Sequence, residues 1–170
     1  MKISDFMIAE QRNELLDGLG HEAVGLTLAV ERRLQAIGAP GVSWRMETIE
    51  PGLLRALLGK RRDCLLIENS SACLREYMVL ISARRLGTAL HITWTLAAAP
   101  RIGNDIRRAT RFGTDGESRY EIGAELDVLD WLELDGFIRV TRLALKKAVA
   151  ELRDDEDTGA DEVEGVSGLA

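Results

Sequence analysis

Histidine, cysteine, clustered carboxylates and paired arginines are the side chains in this chain whose types could do chemistry. The histidines are His21 and His91. His21 follows Gly20 at an expected helix start, and His91 falls on the outward face of an expected strand. Neither has a third ligand nearby, so no metal site is expected. Cys64 lies inside an apolar run and Cys73 near a turn, with eight residues between them. That spacing suits neither a metal site nor a bridge, and two thiols fit a reducing cytoplasm. Glu125, Asp127, Asp130 and Glu133 offer paired carboxylates, but such a helix is usually just solvated. No phosphate loop, dinucleotide fingerprint or nucleophile elbow is present. Catalytic groups need only meet in space, so an enzyme without a recognisable motif stays open. A binding module is the stronger expectation, and no cofactor is expected.

The arginines carry the other chemistry. Lys60, Arg61, Arg62, Arg84, Arg85, Arg101, Arg107, Arg108 and Arg111 supply phosphate-seeking charge. Arg84, Arg85, Arg107, Arg108 and Arg111 are the candidate residues for binding nucleic acid or a partner. The net charge of −6 conceals an asymmetry. Residues 1–39 carry net −2, residues 40–111 net +6 and residues 112–170 net −10. A basic middle and an acidic end can attract each other or serve separate partners. Aromatic residues make up only 5% of the chain, too few to support a base-stacking platform. Trp44 and Trp94 both read as inward-facing.

These residues need elements to position them. Ser4 reads as the N-cap of a first helix reaching about Leu16, although its apolar face (Met7, Ile8, Leu15, Leu16) is ragged. A second helix places Ala23, Thr27, Val30, Leu34 and Ile37 on one face, widened by Val24 and Leu28. Gly38 and Pro40 stop it. Residues 42–49 alternate as a half-buried strand. Pro51 to Gly59 reads as a short helix. Residues 64–68 and 77–83 are apolar on both faces and read as central strands. Gly87 supplies a turn, which puts Arg84 and Arg85 near a hairpin tip, where charge needs no function. From Leu90 the alternation is clean. Leu90, Ile92, Trp94 and Leu96 face one side, and His91, Thr93 and Thr95 the other. Residues 99–123 read as a long loop. A last helix runs from about Glu125 to Arg153, with Asp135-Gly136 as a candidate kink or cap. From Asp154 onward the apolar content is too low to fold.

The expected fold is therefore α+β: two N-terminal helices, an antiparallel sheet of about four strands, a long C-terminal helix and a disordered acidic tail. Residues 1–153 form one domain and residues 154–170 the tail. The start of the chain turns polar after Ile8, so no secretory peptide is expected. No apolar run is long enough to span a bilayer. The function expected is a non-catalytic cytoplasmic binding or regulatory module that docks a protein partner. Nucleic-acid binding through the basic middle is the alternative. No membrane partner is expected, and homo-oligomerisation is left open.

Overall fold

The computed structural model describes residues 7–49, 62–99 and 126–161. The Ser4 cap, the short helix at 51–59, nearly all of the 99–123 loop and the end of the tail lie outside these residues. The chain is α+β, with five strands in one antiparallel sheet and two α-helices among the described residues, the last one C-terminal. The strands are β1 (Met7–Leu16), β2 (Val42–Ile49), β3 (Arg62–Asn69), β4 (Tyr77–Leu86) and β5 (Ala89–Ala98). The helices are α1 (Ala23–Ile37) and α2 (Val128–Asp161). The sheet order is β1-β5-β4-β3-β2. No helix among the described residues is long and apolar enough to cross a membrane.

The expected first helix is a strand, so one N-terminal α-helix precedes the rest of the sheet, and the described strands number five where about four were expected. Glu, Gln, Arg and Leu in residues 7–16 favour helix locally. Pairing overrides them: β1 forms a ladder with β5 from Met7 opposite Ala98 to Leu16 opposite Leu90. Without β1, the long and apolar β5 would be the sheet edge, with its N–H and C=O groups unpaired on one side. The ladder slips between Ile8 and Glu10, leaving Ala9 as the extra residue of a bulge. Side chains alternate with a period of two, so one extra residue reverses the phase of everything after it. Glu10, Arg12 and Glu14 thus lie on the same face as their partners Leu96, Trp94 and Ile92.

The other expectations fare better. α1 has the expected bounds and ends at Gly38, which adopts φ 62 and donates its N–H to Leu34 O at 3.1 Å. Its buried face is Leu26, Ala29, Val30 and Leu34, while Val24 and Leu28 point to solvent. The stripe is therefore rotated toward Leu26 and Ala29, away from the two residues expected to widen it. β3 and β4 are central and buried on both faces over residues 64–67 and 77–82. β5 alternates as expected. Leu90, Ile92, Trp94 and Leu96 join the main core, which also takes Leu65, Ile67, Val79 and Ile81 and the inner faces of both helices. A second cluster, with Cys64, Leu66, Met78, Leu80 and Ala97, occupies the opposite face. Thr93 and Thr95 on that face are buried too.

α2 begins at an Asp127 cap, whose Oδ1 accepts the N–H groups of Leu129 at 2.8 Å and Asp130 at 2.9 Å. It continues through Asp135-Gly136 without a new cap and runs on to Asp161, so residues 154–161, expected to begin a disordered tail, are instead helical. Leu134, Phe137, Thr141, Ala144, Ala148 and Leu152 are buried. It packs against α1, and Glu151 pins the two together. Arg32 Nη2 donates to Glu151 Oε1 at 2.5 Å, and Arg33 Nη2 lies 2.7 Å from Oε2. The hydrogen bond from Arg32, helped by the charge of Arg33, holds the Glu151 carboxyl below the ordinary carboxylate range. A depressed folded-state pKa adds stability above the unfolded value, and that stability is lost as pH falls through the folded value. Glu151→Gln is therefore expected to be less stable than the parent at neutral pH. The gap in denaturant midpoint should close as pH falls through and below the carboxylate range. A gap that widens in acid would contradict the clamp.

Candidate functional site

The phase reversal in β1 brings charge where the sequence pattern shows only a helix with a ragged apolar face. Glu10, Arg12 and Glu14 lie beside Arg142, Lys146 and Arg153, which α2 projects at intervals of four and seven. Between β1 and α2 runs an open groove of about 590 Å³. Its floor is apolar: Ile92 and Trp94 from β5, Leu145 and Val149 from α2. Its walls carry Arg12, Arg142, Lys146 and Arg153.

Trp94 is the centre of this arrangement. It is only 2% exposed. Its indole Nε1 donates to Thr141 Oγ1 at 3.2 Å, and that hydroxyl donates to Ile138 O at 2.9 Å. The Arg142 guanidinium lies over the ring, 4.5 Å from its centroid. Such stacking holds the cation on an aromatic face. Arg142 Nη2 is 2.6 Å from Glu10 Oε1. The same nitrogen has no directed hydrogen-bond partner, and neither does Nε, although both are buried. The Glu10 contact is thus an ion pair off the N–H axis. Glu10 is shared with Arg12 Nε at 3.0 Å, and Glu14 is 3.6 Å from Arg153 Nη2. Four cations face two carboxylates, so the site keeps a surplus of positive charge.

Of the residues singled out from sequence, Arg84 and Arg85 lie away from this groove. Arg84 and Arg85 are exposed in the last ladder pairs of β4, opposite His91 and Leu90, beside the turn at Gly87. Arg84 Nε donates to His91 Nδ1 at 3.2 Å, and Arg85 Nε donates to Gly87 O at 2.8 Å. Both guanidinium groups thus make local contacts at the hairpin end. Arg107, Arg108 and Arg111 lie outside the described residues. His21 is exposed, with Nε2 3.2 Å from Glu22 Oε1. Cys64 is buried in the second cluster. Among the described residues no group of three or more His, Cys, Asp or Glu side chains is placed to hold a metal ion.

One constellation has the outline of a nucleophile and its base. Cys73 Sγ donates to Glu133 Oε2 at 3.2 Å, and Ser71 Oγ donates to the same oxygen at 2.9 Å. Burial pushes the Cys73 thiol up from its ordinary value, and Glu133 and Asp130 add to the push against an opposing hydrogen bond from Ser71. The thiolate is the nucleophile, and a raised pKa removes it at neutral pH. This cluster ties the first turns of α2 to the β3–β4 connection.

Sequence reasoning missed the groove because its parts are far apart in the chain. The spacing of Arg142, Lys146, Val149 and Arg153 marks one helical side. Read from sequence, the basic run Arg139, Arg142, Lys146 and Lys147 after an acidic first half suits the helix dipole and needs no site. Nothing local marks Arg12 or Glu14 as their neighbours, since the bulge decides that. No protein-family model, no curated protein and no solved structure matches the chain.

Proposed function

We propose that the protein is a non-catalytic binding and regulatory module that docks a protein partner, and that the groove between β1 and α2 receives an acidic, partly apolar segment of it. Arg142 carries this reading. Its guanidinium is held flat on Trp94 at the groove wall and is ion-paired through Nη2 with Glu10, which Arg12 shares, while its Nε has no acceptor. Four cations share only Glu10 and Glu14 there, so a carboxylate from outside would meet a surplus of positive charge and form charge-assisted contacts. The apolar floor beside it suits an aliphatic or aromatic neighbour of that carboxylate. The geometry favours peptide over nucleic acid. Glu10 and Glu14 interleave with the cations and would repel a run of phosphates, and the one aromatic ring in the floor is covered by Arg142.

Selection of a displayed random-peptide library on the immobilised full chain tests this reading. Enriched peptides should combine acidic and apolar residues. Fluorescence anisotropy should then show affinity falling at least about tenfold in Arg142→Met, a loss of ~1.4 kcal/mol. Methionine keeps an apolar cover on Trp94 and removes the guanidinium. Arg153→Glu should weaken the same peptides. Tighter binding of a labelled duplex or single strand, or peptide binding indifferent to both substitutions, would overturn the reading.

A further inference from the structure

The outer side of α2 is unlike that of an ordinary surface helix. Opposite its buried face, Leu129, Leu132, Gly136 and Leu143 recur at spacings of three, four and seven. The three leucines are 71%, 55% and 45% exposed, and Val128 beside them is exposed as well. Single exposed leucines need no explanation. A row at heptad spacing forms a seam that another helix can cover. Charge says which helix. The first part of α2 and its cap carry Asp127, Asp130, Glu133 and Asp135, and the middle carries Arg139, Arg142, Lys146 and Lys147.

We propose that the chain forms a twofold-symmetric dimer in which the outer faces of two α2 helices pair antiparallel. Antiparallel pairing sets each acidic part against the basic part of the other copy. Parallel pairing would set like against like. Over residues 127–148 four acids precede four bases, so that stretch is complementary to itself reversed, as an isologous interface requires, and the acidic end of α2 from Glu151 onward extends past it. Alignment of the heptad seams sets Leu132 of each copy opposite Leu143 of the other, in two symmetric layers. Between those layers Gly136 faces Arg139. A Cβ built at Gly136 would meet nothing within 4 Å, so the helix surface there is open to a long side chain. Arg139 is already drawn along the helix by Asp135, whose Oδ2 accepts from its Nε at 2.6 Å.

The inference shares Arg142 and Lys146 with the peptide groove, but its readout is mass rather than ligand binding, so the two are tested separately. Sedimentation equilibrium of the full chain over a concentration series should give the mass of two copies. Leu132→Asp should weaken association at least tenfold while leaving the circular dichroism spectrum unchanged. Raised salt should weaken it too. For orientation, the double variant L132C/L143C should become covalently dimeric on mild oxidation, and L132C alone should not. A one-copy mass at all concentrations would overturn the proposal, as would a dimer that Leu132→Asp leaves intact. Efficient cross-linking by L132C alone would instead show parallel pairing and overturn the antiparallel arrangement.

Discussion

Trp94→Ala should lower the unfolding free energy by about 3–5 kcal/mol, the usual cost of truncating a buried large aromatic. Three losses add at this position. Trp94 stands on the face of β5 that α2 covers, so truncation opens a cavity between the sheet and α2 in the main core. The Thr141 hydroxyl, fully buried, loses the indole N–H that donates to it. Arg142 loses the ring on which it rests, leaving a partly buried cation over a void. For a chain of this size each kcal/mol moves the melting temperature by roughly 2–4 °C, so a fall of about 10 °C is expected by calorimetry. A change near zero would mean that the ring is not the support of α2.

Gly20→Ala should have the second-largest effect, for a steric reason. Gly20 lies in the short turn between β1 and α1 and donates its N–H to Thr88 O at 2.8 Å. A Cβ there would sit 2.7 Å from that carbonyl oxygen and 2.8 Å from its carbon. Both are backbone atoms at the β4–β5 hairpin and cannot swing aside as a flexible side chain would. Either the α1 entry moves off the hairpin or the hydrogen bond breaks. Overpacking of this kind costs about 1–3 kcal/mol. Chemical denaturation should therefore show a loss in that range with an unchanged slope. A neutral result would mean that the two segments approach less closely than 2.8 Å implies.

How much of this was readable from sequence depends on whether the deciding interaction is local. α1 was readable because its stop is local: Gly38 takes a left-handed conformation that other residues resist. The central strands were readable because burial on both faces writes itself as continuous apolar runs in β3 and β4. β1 was not readable. Its residues prefer helix, its burial comes from a strand some eighty positions away, and its phase turns on one bulged residue, Ala9. The groove inherits that difficulty. Arg142 and Arg153 are visible as helix charges, but the carboxylates paired with them, Glu10 and Glu14, sit on β1 and come into range only through the bulge. The hairpin arginines illustrate the reverse case. Arg84 and Arg85 stand out in the sequence, and the β4–β5 ladder engages them locally with His91 and the turn.

The central claim is that the groove between β1 and α2 is the docking surface. The most direct test is amide and indole chemical-shift mapping of the labelled full chain, titrated with the best acidic, apolar peptide from the library selection. The account predicts the largest changes at Asn13, Arg142, Lys146, Val149 and the Trp94 indole N–H, with Arg84 and Arg85 unmoved. Changes confined to the β4–β5 hairpin tip, with the Trp94 indole signal unmoved at saturation, would contradict it.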